Sequence, residues 1–360
     1  MKQLLIAIVL TLALGLIATP VMADEESWAD RINFKGDIRL RYEGVDEEGR
    51  EKRERGRFRT RFGFTADVQE DIKVVIELST GGSNPVSTNQ TIGDGFSRNE
   101  IGFNLAYVDW KVNDSLTVNA GKMKNPLFRA GSVPLIWDGD LNPGGAAAKF
   151  SSGMFFATAA VFAVEERGAA DDSMLYAAQA GIEFPLGDVA SLTTGVGYFA
   201  YTNTIGNTPF YDGRARGNTV DIDGNYVYDY KDTEVFAELD TEVGGWPLKI
   251  FAQYVQNNEV SVEDTGYAFG AKLGSAKDKG DMDFSWTYQD LEADAVIGTF
   301  TDSDFGGSGT DAEGHILKAK YAFSKQVSLG GTYFINKKDR FQGVEHDYNR
   351  IQIDLEFKFH

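Results

Sequence analysis

An arginine at every second position of a segment whose other residues are aromatic or aliphatic excludes most folds at once. Arg57, Arg59 and Arg61 alternate with Phe58, Thr60, Phe62 and Phe64. The segment before repeats the design: Phe34, Gly36, Ile38, Leu40 and Tyr42 form one set, and Lys35, Asp37, Arg39, Arg41 and Glu43 the other. A period of two is that of a β-strand, so each set lies on one face. A half-buried strand of a soluble sandwich alternates in the same way, with its charged face in water. In a membrane the assignment reverses. Arginine facing lipid at the bilayer midplane costs about 2–4 kcal/mol, so the arginine face must look into a wet lumen and the aromatic face meets lipid.

The connections separate the two readings. Sixteen segments of roughly nine to twelve residues, the length of a tilted membrane strand, run from 34–43 and 57–68 to 348–359. Those at 145–151 and 154–164 are weakest, because alanine blurs the alternation, and fourteen or eighteen strands stay open. Short connections at 69–71, 113–114, 152–153, 185–190, 244–247, 275–280 and 324–326 alternate with long ones at 44–56, 81–100, 124–144, 165–172, 202–232, 258–265, 290–314 and 337–347. A sandwich has no reason to segregate its loops; an outer-membrane barrel places short turns in the periplasm and long loops outside. The expected fold is therefore all-β: a transmembrane antiparallel up-and-down β-barrel of sixteen strands with both termini on the short-turn side. Closure leaves no backbone edge unpaired in hydrocarbon. A barrel this wide is not filled by its own strand side chains and is expected to hold an aqueous channel.

The start of the chain agrees. Lys2, an apolar run from Leu4 to Ile17 and the small residue closing Val21-Met22-Ala23 have the form of a secretory leader, removed after Ala23. The run is short for the roughly 20 residues of a helical span. Residues 1–23 are thus expected to leave, and 24–360 to form one barrel domain. Only about ten residues separate Ala23 from Asn33, so anything filling the lumen would have to come from the loops. Losing Lys2 from a chain with 35 basic and 54 acidic residues leaves a net charge of −20, which makes nucleic acid an improbable partner. There is no cysteine to staple the fold or bind metal. Mean hydropathy is −0.28, too polar for a helical membrane protein but suited to a barrel, in which only alternate residues meet lipid.

The third long connection is too apolar to be a freely solvated crown and should pack against something. At this stretch, Gly121-Lys122-x-x-Asn125-Pro126 followed by Trp137-Asp138-x-Asp140-Leu141-Asn142-Pro143, the chain resembles the bacterial outer-membrane proteins called putative porins. The resemblance extends over the mature chain, with Ala106-Tyr107-Val108-Asp109-Trp110 and the paired early strands as its other specific stretches. It implies the outer membrane of a Gram-negative bacterium, a homotrimer, and a third loop around 122–145 that folds inward and narrows the pore, bringing Lys122, Lys124, Arg129, Asp138 and Asp140 to a constriction. The last strand resembles those of outer-membrane barrels generally, with Phe357 and Phe359 as the aromatic signal for the assembly machinery, displaced one place by His360. Periplasmic chaperones, that machinery, lipid and lipopolysaccharide are the implied partners.

Arg39, Arg41, Arg57, Arg59 and Arg61 form a candidate cationic pore wall, since fixed charges in a narrow low-dielectric throat select among ions. Against this, the arginines could be neutralised by Asp37, Asp67 or Glu77, and Asp138 and Asp140 could simply shape a turn beside Gly139. The acidic groups Asp46 to Glu48, Asp302 to Asp304 and Asp311 to Glu313 read as exposed loop charge able to bind divalent cations against lipopolysaccharide. Asp221-Ile222-Asp223-Gly224-Asn225 lacks the spacing and closing glutamate of a calcium loop and reads better as an Asx turn. No cofactor, metal site or catalytic residue is expected: His315, His346 and His360 stand in no nucleophile motif, and Gly306-Gly307-Ser308-Gly309 lacks the lysine of a phosphate loop. The function expected is passive diffusion of small hydrophilic solutes and ions. The alternatives are a channel specific for an anion such as phosphate or for oligosaccharide, and a structural or adhesive barrel without an open pore.

Overall fold

The computed structural model describes residues 28–93 and 95–359, so the expected leader and His360 lie outside the described residues. In chain order the strands are β1 (Ile32–Glu47), β2 (Arg53–Gln69), β3 (Ile72–Thr80), β4 (Gln90–Thr91), β5 (Ile101–Lys111), β6 (Leu116–Lys122), β7 (Gly144–Ser152), β8 (Phe155–Glu165) and β9 (Ser173–Pro185). There follow β10 (Ser191–Tyr201), β11 (Lys231–Val243), β12 (Trp246–Asn257), β13 (Thr265–Gly274), β14 (Met282–Leu291), β15 (Ala312–Ala322), β16 (Val327–Lys338) and β17 (His346–Phe359). All but β4 are staves of one antiparallel barrel, sixteen in number, closed where β1 pairs with β17 from Gly36↔Phe359 to Glu47↔Tyr348. The aromatic end of the chain sits on that seam: Gly36 lies under the ring of Phe359, where a Cβ would come within 2.3 Å of the ring, so only glycine fits.

The expected faces are the observed ones on the early strands. Phe34, Ile38, Leu40, Tyr42 and Phe62 are exposed on the lipid side, whereas Arg39, Arg41 and Arg59 are buried on the lumen side. Two details differ from the sequence reading. β1 and β2 are long, so the first loop shrinks to 48–52, and the asymmetry between the ends is carried mainly by the second, third, fifth and seventh loops at 81–100, 123–143, 202–230 and 292–311. The second loop also returns as β4, pairing with Arg57 and Phe58 of β2. The cause is a length mismatch: β3 pairs with β2 only from Gln69 up to Arg61, and β4 takes the partnerless backbone above it.

The lumen is not simply open. The third, fifth and seventh loops turn inward and join the inner faces of β7 to β14 in one apolar cluster, which holds Leu135, Trp137, Phe199, Phe236, Phe251 and Ile297 among others. Each such side chain contributes about 1.5–3 kcal/mol by leaving water.

Candidate functional site: an arginine wall between two cavities

The third loop crosses the lumen on fixed supports. Gln179 of β9 accepts from the Phe128 N–H at 2.7 Å and donates to the Phe128 carbonyl at 3.0 Å. At the tip the Gly131 N–H donates to Glu238 of β11 at 2.5 Å, and Gly131 holds φ +63 with Phe251 within 2.4 Å of where a Cβ would stand. That close approach requires glycine. On the return, Trp137 packs edge-on to Phe199 at 4.4 Å and donates to the Tyr201 hydroxyl at 3.2 Å.

Opposite this seat stands a charged strip on β17, β1 and β2. Antiparallel register sets Glu356, Arg39 and Arg59 side by side, then Asp354, Arg41 and Arg57, then Gln352, Glu43 and Arg55. Like charges directly opposite one another on a sheet repel, so the Arg39–Arg59 and Arg41–Arg57 pairs need acceptors. Arg41 is bidentate on Asp354 at 2.7 Å, Arg55 and Arg57 share the fully buried Glu43, and Arg59 and Arg61 share Asp37 at 2.9 and 2.8 Å. Arg39 alone of the five relies on a neutral group, the Asn89 amide oxygen at 2.6 Å, and its Nε is buried without an acceptor. Of the carboxylates expected to neutralise the wall, Asp37 does so; Asp67 pairs with Lys73 and Glu77 accepts from Asn104.

Two cavities flank the strip. The outer, about 390 Å³, is lined by Arg55, Arg57, Arg216, Lys338, Arg350 and Asp304 among others; the inner, about 290 Å³, by the tip of the third loop with Lys272, Lys318, Asp354 and Glu356 among others. Arg41 stands between them, holding Asp354 of the inner cavity and, at 3.2 Å, Asp304 of the outer. Asp304 belongs to the seventh loop and also pairs with Arg350. Burial alone would raise its pKa, but Arg350 and Arg41 outweigh that and hold the carboxyl well below the usual range.

The putative porin family matches this chain over residues 46–225 and 214–359. The chain belongs to that family. Solved barrels share the fold at low identity. OprB of Pseudomonas putida matches with TM-score 0.63 and 14% identity over 94% of this chain and 100% of its own. OmpF of Salmonella typhi, solved in complex with daunomycin, gives 0.57 and 14% over 93% and 100%, and OpdQ of Pseudomonas aeruginosa 0.51 and 10% over 91% and 98%. No curated protein matches by sequence. This porin is an outer-membrane channel for small solutes, and its family and fold are those of a channel rather than an enzyme.

Within the porin the residues singled out from sequence part company. The five arginines are together, and Asp140 faces them, 3.9 Å from Arg59. Arg129 lies inside the third loop, donating to the Trp137 carbonyl at 3.2 Å, and burial lowers its pKa against the opposing pull of Asp138 and Asp140. Asp138 braces the third loop to the seventh: its carboxylate accepts the N–H of Ser303 at 2.9 Å and of Asp140 at 2.7 Å, and its own N–H donates to the Phe300 carbonyl. Burial, then Asp302 and Asp140, push its pKa well above the ordinary value. The turn-shaping alternative thus describes Asp138 well. Lys122 departs from expectation: it pairs with exposed Ala106 and shares the outward parity of Val118, so it lies on the outer face at the rim, bonded to the Asn142 carbonyl at 2.9 Å. Lys124 is exposed at the start of the loop.

The seventh loop was missed as a lumen element. Asp302 and Asp311 are buried and Asp304 is 18% exposed at its side chain, so of the three acidic groups expected to bind cations outside, only Asp46 at the end of β1 and Glu48 of the first loop stand clearly exposed. Asp221 accepts from the N–H of Asp223 and of Asn225, as an Asx turn does. His315 lies on the lipid face, taking a hydrogen bond from the Trp286 indole at 3.2 Å. The available signal was the run Ala293-Asp294-Ala295-Val296-Ile297-Gly298-Thr299-Phe300, as apolar as the third loop whose packing the same criterion anticipates.

Proposed function

We propose that small hydrophilic solutes diffuse passively along the arginine wall and that the narrowest point of their path is the Arg41–Asp304 contact, with Arg39, Arg57, Arg59, Arg61 and Asp140 beside it. The observation that carries this reading is the position of Arg41, bonded at once to a carboxylate of the outer cavity and one of the inner. Fixed opposite charges across such a throat select by charge and size. The outer cavity has the larger excess of basic side chains, so the preference is for anions, weakened at mid-wall by the carboxylates that pair with the arginines. The sugar-channel alternative finds little support, because the lumen-side aromatics Phe199, Phe236 and Phe251 are buried under loops. A trimer embedded among lipopolysaccharide, each barrel inserted by the assembly machinery that reads the Phe357 and Phe359 strand, completes the proposal; cross-linking of native membranes tests the trimer.

Conductance of the purified folded protein in planar bilayers, with reversal potentials in asymmetric KCl, tests the function. Step-like openings with an anion-side reversal potential are expected. No conductance from folded protein would favour instead a barrel plugged by its third, fifth and seventh loops.

A further inference from the structure

The outer cavity holds more positive charge than the wall beneath it. Basic side chains in its lining outnumber acidic ones seven to three. All the wall arginines at mid-barrel but Arg39 are matched by carboxylates, whereas Arg53 at the cavity pairs with no carboxylate among the described residues. Arg57, Arg216 and Arg350 each keep an Nε donor that is buried without an acceptor. Buried donors of this kind are costly unless something accepts from them. The hydroxyl-bearing Ser87, Ser308 and Tyr348 also line the cavity, and its 390 Å³ admits a phosphate ester. The acidic group reaching in from the seventh loop, Asp304, occupies Arg350 and Arg41 as an acceptor carried by the chain itself.

We propose that this cavity binds small anions of two or more charges, phosphate and phosphate monoesters being the class that fits, and that such an anion competes with Asp304 for Arg350. Guanidinium groups favour this class because their paired N–H donors match two oxygens of one tetrahedral anion. A monovalent carboxylate satisfies fewer donors and leaves the charge excess uncancelled. The proposal rests on the channel reading for access from outside, but not for the binding itself.

The test is calorimetric titration of the full folded chain, refolded in detergent without lipopolysaccharide so that no lipid phosphate is present, with pyrophosphate, inorganic phosphate and acetate at low ionic strength. Pyrophosphate and phosphate should bind, and acetate at least about tenfold more weakly, the factor expected from losing one charge-assisted hydrogen bond. The double change Arg55→Gln with Arg57→Gln should weaken pyrophosphate by about tenfold or more on the same ground. Should that variant fail to fold, Arg53→Gln, which breaks no ion pair, should weaken binding about threefold through long-range charge alone. Asp304→Asn should tighten it by removing the competitor. Absence of pyrophosphate binding, equal affinity for acetate, or unchanged affinity in the folded arginine variants would overturn the site; weaker binding in D304N would overturn the competition. Bilayer conductance on the same preparation keeps the two readings apart: protein that conducts without binding pyrophosphate loses this site alone, and protein that binds without conducting loses the channel.

Discussion

Along β17, β1 and β2 the lumen face carries Arg350, Asp354, Arg41, Arg57 and Arg59, whereas along β8 to β12 it carries Phe162, Phe199, Phe236 and Phe251. The first face satisfies itself mostly sideways, Arg41, Arg57 and Arg59 reaching carboxylates on neighbouring strands, and can border water. The second cannot, since a row of phenylalanines toward an aqueous lumen would leave apolar surface wet. It is covered instead by the third, fifth and seventh loops, which are apolar to match. The rule of apolar outside and polar inside therefore holds on one half of the barrel and fails on the other, and the half where it fails is where the loops are seated. From that seat the loops reach across to the charged half, where Asp304 meets Arg41 and Arg350.

The most severe break of this arrangement removes the anchor of the seat. Trp137→Ala deletes a side chain 2% exposed together with its contacts to Phe199 and Tyr201. Emptying such a site costs about 3–5 kcal/mol. The barrel staves do not depend on it, so the expected outcome is a loosened third loop: higher and noisier unit conductance, and new protease cuts in 124–142, with strand content by circular dichroism unchanged. A variant with wild-type conductance and protease resistance would mean that the loop does not rest on its apolar face.

On the charged half, Arg41 and Arg39 make the sharper contrast. Arg41→Gln strands Asp354 and leaves Asp304 with Arg350 alone. Breaking a buried pair costs about 3–5 kcal/mol, and because both carboxylates keep some water access about 2–3 kcal/mol is the expected loss in urea unfolding from micelles. Arg39→Gln breaks only the bond to Asn89 and relieves repulsion with Arg59, so its loss should be nearer 1 kcal/mol. Both should move the reversal potential away from anions. If the two unfold alike, the ion pairs contribute less than their geometry implies.

How much of this was legible follows the same division. The charged half was plain in the sequence, because Arg57-Phe58-Arg59-Thr60-Arg61-Phe62 states both faces at once. The seat was not. Residues 145–151 and 154–164 alternate poorly because their lumen face carries Ala147, Phe156, Ala160 and Phe162 for a loop to cover, so the weakest strands by pattern mark where loops pack. Asp304 was illegible for another reason. An aspartate beside glycines in a loop looks the same whether it is solvated or caught between two arginines from strands far away in the chain. Its partners Arg41 and Arg350 lie 263 and 46 residues away, and no local pattern encodes such a contact.

Acid should separate the two aspartates that tie the inward loops. Asp304 is held below its unfolded value by Arg350 and Arg41, so its contribution is fully present above that unfolded value, about 3.9, and is lost only as the pH falls through the lower folded one. Asp138 is shifted the other way by burial, so its burial becomes less costly as the pH falls and the carboxyl gains a proton. From pH 7 down to about 4, single-channel recordings should therefore show no loosening of the loops. Flicker that begins between pH 6 and 5 would mean that Asp304 is not in the ion pairs described.

The smallest effect expected is itself a test of the inward and outward assignment. Lys122 stands in the same motif as Asn125 and Pro126, and family resemblance would put its charge at the constriction. Strand parity puts it on the outer face with Val118, paired with Ala106, where its ammonium meets the Asn142 carbonyl at the rim rather than the solute path. A charge there is separated from the throat by the barrel wall and exposed to electrolyte, where screening at 0.1 M salt acts within about 10 Å. Lys122→Gln should thus leave the reversal potential where it is, while Arg39→Gln under the same gradient moves it. A shift in K122Q as large as that in R39Q would place Lys122 on the lumen side and require β6 to be re-registered by one residue, which would turn Asn119 toward lipid and Val118 toward the channel.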